Sequence, residues 1–350
     1  MGLRKVFFNR TPQPLAVRLA GASRAGKLLA HGHWRKLFNY LLAEVQRWLG
    51  SEKFSARPYF LSLEPTDSCQ LRCPFCTVPY AKEHHVLAYE DYERLMRELG
   101  PWLVRAELYK GGESFLHPRI LDMVRLAKSY AVEVSISSNL NALPPGGAQA
   151  VAGSGLDVLV ASIDGTTQQT YEKYRVGGSL EKALSNAAAI ARARRENGGK
   201  GPELIWQFIV FRHNQHELEA AERLARETGF DHIMFRPGYI FDDPATKESW
   251  RSTLPEFSEE KRCSDDDTCR WPWGGVNVFA DGSVTLCYMD REKRLDIGRA
   301  GELADMMRQG GFHRLARRLI KGLERGRRAP AGEKHPCASC PCFGQSNFWV

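Results

Sequence analysis

The sequence predicts an α/β fold in which parallel strands alternate with helices, followed by a smaller C-terminal unit of a β-hairpin and a helix. Three observations predict it. From residue 59 to about residue 240, short apolar segments alternate with longer ones whose apolar residues recur at helical spacing. Glycine and polar residues directly follow several of the strand-like segments. Further on, Asp281-Gly282 separates two apolar runs, which is a strong hairpin signal.

Six strands and four long helices account for the alternating region. The strands are predicted at residues 59–64, 106–110, 132–137, 158–163, 204–210 and 232–235. The helices are predicted at residues 89–99, 120–130, 180–196 and 215–228. A chain of 350 residues has room for one large domain and a smaller one. We therefore place a core domain at 58–242, between an N-terminal arm at 1–57 and a C-terminal unit at 243–350.

The N-terminal arm differs from the rest of the chain in charge. Residues 1–58 contain 11 Lys and Arg but only 2 Asp and Glu, and the remainder of the chain is nearly neutral. Residues 14–50 show helical spacing of apolar residues with basic residues interleaved. The arm is either a helical prelude packed on the core or a surface for an anionic membrane or a phosphorylated substrate. Because the excess charge lies outside the core, we expect no nucleic-acid partner.

The cysteines and the apolar content indicate a cytoplasmic metalloprotein. No run of about 18 apolar residues is present, so we expect no membrane-spanning helix, and the N-terminus lacks the pattern of a signal peptide. Nine cysteines in a cytoplasmic chain of this size favour metal ligation over disulfides.

Three of these cysteines stand on one short loop. Cys69, Cys73 and Cys76 have a C-x3-C-x2-C spacing and follow the first predicted strand, which ends at Pro65. A structural zinc site normally takes four ligands and is closed. Three close thiols without a fourth suit an iron–sulfur cluster with one iron left open. The alternatives are a small metal knuckle or three buried thiols.

Polar motifs follow the next strands. Gly111-Gly112-Glu113 comes after the second strand, where a glycine pair permits close backbone approach and a carboxylate can accept from an ammonium group. Ser138 and Asn139 end the third strand, and the fourth ends at Ser162-Ile163-Asp164. After the fifth strand, the spacing of Asn214 and Glu217 is that of a helix capping box. Ordinary turns are the structural alternative for these motifs.

Together, the cysteine loop with its aromatic Phe75, the GGE motif and the stretch from Ser162 to Arg175 resemble the radical SAM superfamily. The resemblance extends to the subgroup with a C-terminal SPASM or Twitch domain, and it implies a partial (β/α)6 TIM-type barrel. It implies a [4Fe–4S] cluster on the three cysteines, with S-adenosylmethionine on the open iron as the source of a 5′-deoxyadenosyl radical. The implied cofactor contacts are Gly111, Gly112 and Glu113 for the amino group, Ser138, Asn139, Ser162 and Asp164 around the sugar, and Arg175 for the carboxylate.

The remaining cysteines suggest an auxiliary cluster. Cys269 precedes the predicted hairpin, Cys287 ends its second strand, and Cys337 and Cys340 form a later C-x2-C pair. By resemblance to Twitch domains, these four bind one auxiliary [4Fe–4S] cluster, since six cysteines are too few for two complete ones. Cys263 and Cys342 are alternative ligands, and a zinc ribbon is the alternative site.

The fate of the substrate radical decides between two expected reactions. In the first, the auxiliary cluster accepts an electron and a base takes a proton, so that a sugar, cyclitol, lipid-linked glycan or other small metabolite is oxidised. Candidate bases are His84, His85, Arg236 and Tyr239. In the second, Cys263 or Cys342 returns a hydrogen atom and the product is an epimer.

Other expectations concern the substrate and the partners. Gln207 is a candidate for contact with substrate or adenine. Modification of a peptide is a third possible function, although the arm is too short and too helical for the winged-helix leader-binding domain of peptide-modifying relatives. The resemblance also implies a flavodoxin- or ferredoxin-type electron donor.

Overall fold

The computed structural model describes residues 4–7, 25–52, 55–76, 83–238, 240, 244–258, 271–285, 287 and 296–303. Within these ranges the chain forms an α/β fold whose centre is a curved sheet of parallel strands. Six of the predicted functional residues lie outside the described residues. They are Tyr239, Cys263, Cys269, Cys337, Cys340 and Cys342.

The described residues contain ten strands that form one sheet. In chain order they are β1 (Arg4–Phe7), β2 (Phe60–Leu63), β3 (Arg105–Leu108), β4 (Glu133–Ser138), β5 (Val158–Ser162), β6 (Glu203–Val210), β7 (His232–Pro237), β8 (Gly275–Val278), β9 (Ser283–Thr285) and β10 (Asp296–Arg299). Their order across the sheet is β1-β7-β6-β5-β4-β3-β2-β8-β9-β10. Strands β2 to β7 are therefore parallel neighbours in sequence order, as consecutive βα units require.

The helices connect the strands and cover the sheet. They are α1 (residues 25–30), α2 (Trp34–Trp48), α3 (Tyr89–Leu99), α4 (Ile120–Ser129), α5 (Gly147–Ala152), α6 (Gln168–Tyr174), α7 (Leu180–Glu196), α8 (Leu218–Thr228), α9 (Pro244–Trp250), α10 (Pro255–Ser258) and α11 (Trp271–Gly274). Short 3-10 turns lie at Ser114–Leu116, Gln215–Glu217 and Ala300–Glu302. Within the described part of the chain, none of the helices has the length and apolar character that a bilayer-spanning segment needs.

The predicted α/β fold is confirmed. Each of the six predicted strands is present, with ends that differ by at most two residues, and each of the four predicted helices is present. The last helix starts at Leu218 because the residues before it form a 3-10 turn. Two strands were not predicted: β1 pairs in parallel with β7 in an arm expected to be helical, and β10 pairs antiparallel with β9.

The predicted hairpin is also present, and it continues the barrel sheet. Strands β8 and β9 are antiparallel around the turn at Asp281-Gly282, where Gly282 has a φ of 80°. Strand β8 pairs in parallel with β2 over its whole length. The hairpin therefore lies directly beside the strand that precedes the cysteine loop. The domain bounds at residues 57 and 242 stay a prediction.

Side-chain alternation divides each barrel strand between core and interior. On β5, Leu159 and Ala161 belong to the apolar core between sheet and helices, whereas Val158, Val160 and Ser162 line the interior of the barrel. The same alternation on β3 directs Ala106 and Leu108 outward and Arg105 and Glu107 inward. The inward face of β3 thus presents charged side chains to the barrel interior, while its outward face packs in the apolar core under the helices.

Helix α2 lies across the end of the barrel where the strands begin. The Lys36 Nζ donates to the carbonyl oxygens of Leu103 (2.5 Å), Tyr130 (2.6 Å) and Ala131 (3.0 Å), which precede β3 and β4. Burial, and secondly the charge of Lys128, lower the pKa of Lys36 to about 8. A basic side chain therefore fixes this helix to the barrel in place of an apolar one.

We expect the lowered pKa of Lys36 to make the free energy of unfolding depend on pH. The ordinary lysine pKa is 10.5, so between about pH 8 and pH 10.5 the unfolded chain binds more protons than the folded one. Stability then rises with pH in that window. In urea denaturation, the advantage of the natural chain over Lys36→Met should accordingly grow with pH. The control is Lys182→Met, which replaces an exposed lysine. The prediction is contradicted if the loss of unfolding free energy caused by Lys36→Met does not change with pH, or if Lys182→Met shows the same change with pH.

Candidate active site

The cysteine loop follows β2 at the carboxyl end of the barrel. Neighbouring segments support its backbone, since Arg72 N–H donates to Val176 O (2.9 Å) and Cys76 N–H to Cys73 O (3.1 Å). Cys73 is buried, Cys69 and Cys76 are half-buried, and all three line one cavity. The structure therefore brings the three predicted ligands together at the mouth of the barrel.

Nitrogen donors surround two of the three sulfur atoms. The Sγ of Cys69 lies 3.5 Å from the Leu71 N–H and 3.8 Å from the Asn139 Nδ2. The Sγ of Cys73 lies 3.9 Å from Nη1 of Arg175. Burial raises the pKa of Cys69 to about 11 and also raises that of Cys73. The free thiols of Cys69 and Cys73 are thus protonated at neutral pH, while the nitrogen donors are already placed to stabilise negative sulfur.

This donor set fits an iron–sulfur cluster. Among the described residues, no three His, Cys, Asp or Glu side chains converge closely enough to hold a single metal ion. A cubane cluster makes a different demand, because each thiolate binds its own iron atom and the sulfurs need not share one centre. Three thiols around the rim of a cavity, with N–H groups directed at two of them, meet that demand.

The GGE motif is bonded directly to the cysteine loop. The Glu113 N–H donates to Ser68 O at 2.8 Å. A β-carbon on Gly112 would collide with the carbonyl oxygens of Thr66 and Ser68, so the two loops approach too closely for any side chain there. Gly112 is therefore needed to bring Glu113 beside the loop.

The carboxylate of Glu113 is buried and joins two strand ends. Its oxygens accept from the backbone N–H of Phe115 (3.1 Å) and of Asn139 (2.8 Å). Burial raises the pKa of Glu113, and these bonds, together with one from Ser138, oppose the rise. Glu113 thus fixes the end of β4 relative to the GGE motif and places a carboxylate beside the cavity.

The chain turns sharply after β4. Leu140 has a φ of 55°, a conformation that favours glycine, and Asn186 holds it by donating to Leu140 O at 2.8 Å. The turn aims the Asn139 side chain at the cysteine loop, where its Oδ1 accepts from Gln70 at 2.9 Å. The predicted pair Ser138 and Asn139 therefore connects β4 to the loop of the three cysteines.

A buried ion pair lies on the opposite side of the cavity. Arg175 Nε donates to Asp164 Oδ2 at 2.6 Å, and Asp164 Oδ1 accepts from the Ile209 N–H at 2.6 Å. Although burial alone lowers it, the Asp164 carboxylate holds the pKa of Arg175 well above its ordinary value. Arg175 therefore stays charged within reach of the Cys73 sulfur.

Asn214 has a different role from the predicted capping box. It occupies the N-cap position of the 3-10 turn, but its side chain does not cap the turn. Instead its Nδ2 donates to Asp164 O (3.0 Å) and Ile209 O (2.9 Å), and its Oδ1 accepts from the Phe211 N–H (2.7 Å). Asn214 thereby joins the loops that carry the ion pair.

The remaining predicted residues fall into two groups. Ser162 bonds to Ser137 (3.2 Å), and Gln207 accepts from Arg236 (3.2 Å); all four line the cavity. In contrast, the half-exposed His84 and His85 lie outside it, because both face Asp67, at 3.4 and 3.0 Å. Of the described candidate bases, only Arg236 therefore lines the cavity.

An aromatic group beside the cysteine loop was not predicted. The rings of Phe75, Tyr174, Phe211 and Trp250 lie with neighbouring centroids 4.6–6.2 Å apart. They pack with Leu71 and the cysteines. The group excludes water from one side of the thiols. Only Phe75 carried a sequence signal, because the other rings come from distant segments.

The cavity continues into the barrel as a lumen of about 380 Å³ with two unlike walls. Strands β5 to β7 contribute mainly apolar side chains, namely Val158, Val160, Ile205, Ile209 and Met234. Strand β3 and the residues after it contribute Arg105, Glu107, Tyr109 and Lys110. Arg105 and Glu107 face each other at 3.5 Å. The alternation of polar and apolar residues in 105–108 could have indicated the two inward groups on β3.

A further set of polar contacts links the lumen to the hairpin. Glu64 accepts from the N–H groups of Gly111 (3.0 Å) and Ala280 (3.3 Å). Lys110 donates to Asn277 (3.1 Å), which donates to Thr285 (3.0 Å), and Thr285 donates to the carbonyl of Cys287 (3.1 Å). Cys287, the one described member of the predicted auxiliary ligands, is thus connected to the barrel through polar side chains.

Comparison with known proteins agrees with this geometry. Residues 63–225 match the family model described as the radical SAM superfamily. The fold is similar to SuiB of Streptococcus suis bound to S-adenosylmethionine, with a TM-score of 0.60 at 13% identity over 80% of this chain and 72% of that one.

Curated relatives are distant. The chain is 27% identical over 259 residues to the PqqA peptide cyclase of Ruegeria pomeroyi, which covers 66% of this chain and 68% of that protein. It is 29% identical over 268 residues to the GTP 3′,8-cyclase of Peptoclostridium acidaminophilum, covering 71% and 80%. Two other relatives are matched over only about half of their own length, 50% and 47%.

Gly112→Ala is expected to impair the site. The added methyl group forces the GGE motif away from the cysteine loop, at a cost of about 1–3 kcal/mol, which is typical of overpacking. Iron and sulfide content after anaerobic reconstitution, and affinity for S-adenosylmethionine by calorimetry, should both fall. The control is Gly26→Ala, whose methyl group meets nothing within 4 Å. Equal iron content and equal affinity in both variants would contradict the close contact between the GGE motif and the cysteine loop.

Asp164→Asn is expected to destabilise the protein and to weaken binding of S-adenosylmethionine. It leaves the buried Arg175 without its counter-charge, which typically costs about 3–5 kcal/mol. Asp231→Asn is the matched control, since it removes the partner of Arg194 in a more exposed pair away from the cavity. Urea denaturation and titration calorimetry give the two readouts. Loss of affinity in both variants, or in neither, would contradict a local role for the pair.

Proposed function

We propose that this chain is a radical SAM enzyme that oxidises a small polar metabolite or glycan by two electrons. The observation that carries the proposal is the position of three cysteine thiols at the mouth of a lumen with one polar and one mainly apolar wall. When bound, the first cluster and S-adenosylmethionine supply a 5′-deoxyadenosyl radical that abstracts a hydrogen atom, and an auxiliary cluster supplies an acceptor for the second electron.

The described residues have complementary tasks in this proposal. Cys69, Cys73 and Cys76 would hold the cluster. Glu113 offers a carboxylate for the amino group of S-adenosylmethionine, and Arg175 offers a guanidinium for its carboxylate. Gly111 and Gly112 allow the backbone to approach, while Ser138, Asn139, Ser162 and Asp164 surround the sugar. The aromatic group beside the loop keeps water from the thiols.

The lumen suggests how the substrate is oriented. A substrate with hydroxyl or other polar groups would face Glu107 and Lys110, and its carbon skeleton would lie against the apolar wall of β5 to β7. The reacting C–H bond would then point to the mouth. After loss of the hydrogen atom, one electron and one proton remain to be removed. Glu107 is a carboxylate inside the lumen and a better-placed proton acceptor than the predicted histidines.

The auxiliary ligands and the electron donor belong to the same proposal. Cys269, Cys287, Cys337 and Cys340 would hold one auxiliary [4Fe–4S] cluster in a Twitch-like unit, with Cys263 or Cys342 as substitutes. The polar contacts from Lys110 to Cys287 support a close connection between the substrate and this unit. A flavodoxin- or ferredoxin-type protein would deliver electrons.

Modification of a peptide is a second candidate function. It is favoured by the match to a protein described as a PqqA peptide cyclase, which covers 68% of that relative. Both candidate functions begin with the same hydrogen abstraction. They differ in the substrate, which is a small molecule in the first and a peptide in the second.

The proposed function predicts two different cysteine phenotypes. With dithionite and S-adenosylmethionine under anaerobic conditions, the reconstituted chain should form 5′-deoxyadenosine, and Cys76→Ala should form none. Cys287→Ala should still cleave S-adenosylmethionine but should form little oxidised product. Iron counting should give about eight atoms per natural chain and about four for each variant.

Size-fractionated cell extracts identify the product in the same assay. Mass spectrometry should find a small molecule that loses two hydrogens, with one 5′-deoxyadenosine formed per turnover. A product with the composition of the substrate, which gains one deuterium when the assay is run in deuterated water, would instead indicate an epimerase that uses Cys263 or Cys342. A product confined to the peptide fraction would indicate the second candidate. Absence of 5′-deoxyadenosine would overturn the proposal altogether.

A further inference from the structure

We propose that helix α2 is an interfacial anchor that binds this enzyme to an anionic phospholipid surface. The inference does not depend on the reaction or on the substrate. It rests on three properties of the helix: an exposed apolar stripe, a rigid attachment to the barrel on the opposite face, and the charge of the arm that contains it.

The exposed stripe is unusual for this molecule. Of the ten large apolar side chains that are exposed among the described residues, seven lie between residues 29 and 49. They are Leu29, Trp34, Phe38, Leu41, Val45, Trp48 and Leu49. Five of them follow one another at three- or four-residue intervals along α2, so they share one face of the helix. Phe38 is 72% exposed and Trp48 80%, which excludes burial against any other described residue.

The opposite face is held to the barrel by specific bonds. Lys36 binds three carbonyl oxygens beneath β3 and β4, as described above. Asn39 exchanges two hydrogen bonds with the backbone of Arg57, at 2.9 and 2.7 Å. Glu44 accepts from the hydroxyl of Tyr59 at 2.9 Å. On the same face, Tyr40 and Ala43 pack in a buried apolar cluster. These bonds and this packing together set the rotation of the helix, and the exposed apolar stripe is turned outward as a consequence.

The charge of the arm selects an anionic surface. Residues 1–58 carry 11 basic and 2 acidic side chains, whereas the rest of the chain is nearly neutral. Of the residues near the stripe, Lys27, Arg35 and Arg47 are basic. Two tryptophans, Trp34 and Trp48, belong to the exposed stripe, and tryptophan rings favour the level of the lipid head groups. Each basic residue near such a surface adds to the attraction.

The same charge disfavours a second copy of this chain as the occupant. Packing two α2 faces together would bring the basic residues Lys27, Arg35 and Arg47 near their counterparts on the second copy, and like charges repel at short range. A bilayer accepts an apolar stripe without requiring a matching shape, and anionic head groups neutralise the arm. The lipid surface is thus the occupant that satisfies both the stripe and the charge.

Vesicle sedimentation with the full-length reconstituted chain tests the proposal. The natural chain should pellet with vesicles of phosphatidylcholine and phosphatidylglycerol, at least tenfold more than with phosphatidylcholine alone, and less at high salt. Phe38→Ser with Trp48→Ser should lose at least tenfold in affinity. Val86→Ser is the matched control, because it removes an apolar side chain that is 52% exposed at the other end of the barrel.

Brominated lipids provide a second measurement. They should quench the tryptophan fluorescence of the natural chain, and replacing Trp34 and Trp48 with Phe should remove that quenching. The proposal is overturned if the natural chain stays in the supernatant, or if the Phe38 and Trp48 variant pellets equally. It is also overturned if that variant converts a dimer to a monomer, which identifies a second copy as the occupant. Marked thermal destabilisation would identify another segment of this chain.

Discussion

The site depends on the close backbone contact between the cysteine loop and the GGE motif. A loop with three potential ligands has no ladder of its own, so its peptide groups must be satisfied by neighbouring segments. The Ser68 carbonyl accepts from Glu113, whose carboxylate in turn accepts from the start of the loop after β4. Three consecutive strand ends are thereby joined around the mouth. One glycine permits this arrangement, since any side chain at Gly112 would occupy the position of the loop backbone.

The sequence predicted the strands well for a physical reason. Each barrel strand is a short apolar run between turn residues, and such runs are recognisable without knowledge of their partners. Pairing is a different matter. The parallel contacts of β8 with β2 and of β1 with β7 both join residues more than two hundred positions apart, so neither pairing carries a local signal. The polar motifs were located in the same way, because each of them begins where an apolar run ends.

Side-chain roles were harder to predict than positions. His84 and His85 were plausible bases by residue type, but both lie opposite Asp67, which only the folded loop brings near. Asn214 had the spacing of a cap, yet its amide joins loops around Asp164. The arm illustrates the same limit: helical spacing correctly indicated a helix, but it did not reveal that Lys36 and Asn39 would face the barrel and leave the apolar residues outside.

The place where α2 attaches has a consequence for which molecules can reach the thiols. The helix covers the end at which β3 and β4 begin, while the cysteine loop follows the opposite end of β2. A strand of six residues spans about 20 Å. With α2 on a bilayer, the mouth of the barrel would therefore stand at least about that far above the head groups and open toward water. Freely diffusing substrates and reductants would enter without obstruction. A lipid-linked substrate would need a head group long enough to reach that height. Lipid-linked substrates with shorter head groups would therefore be excluded from the site.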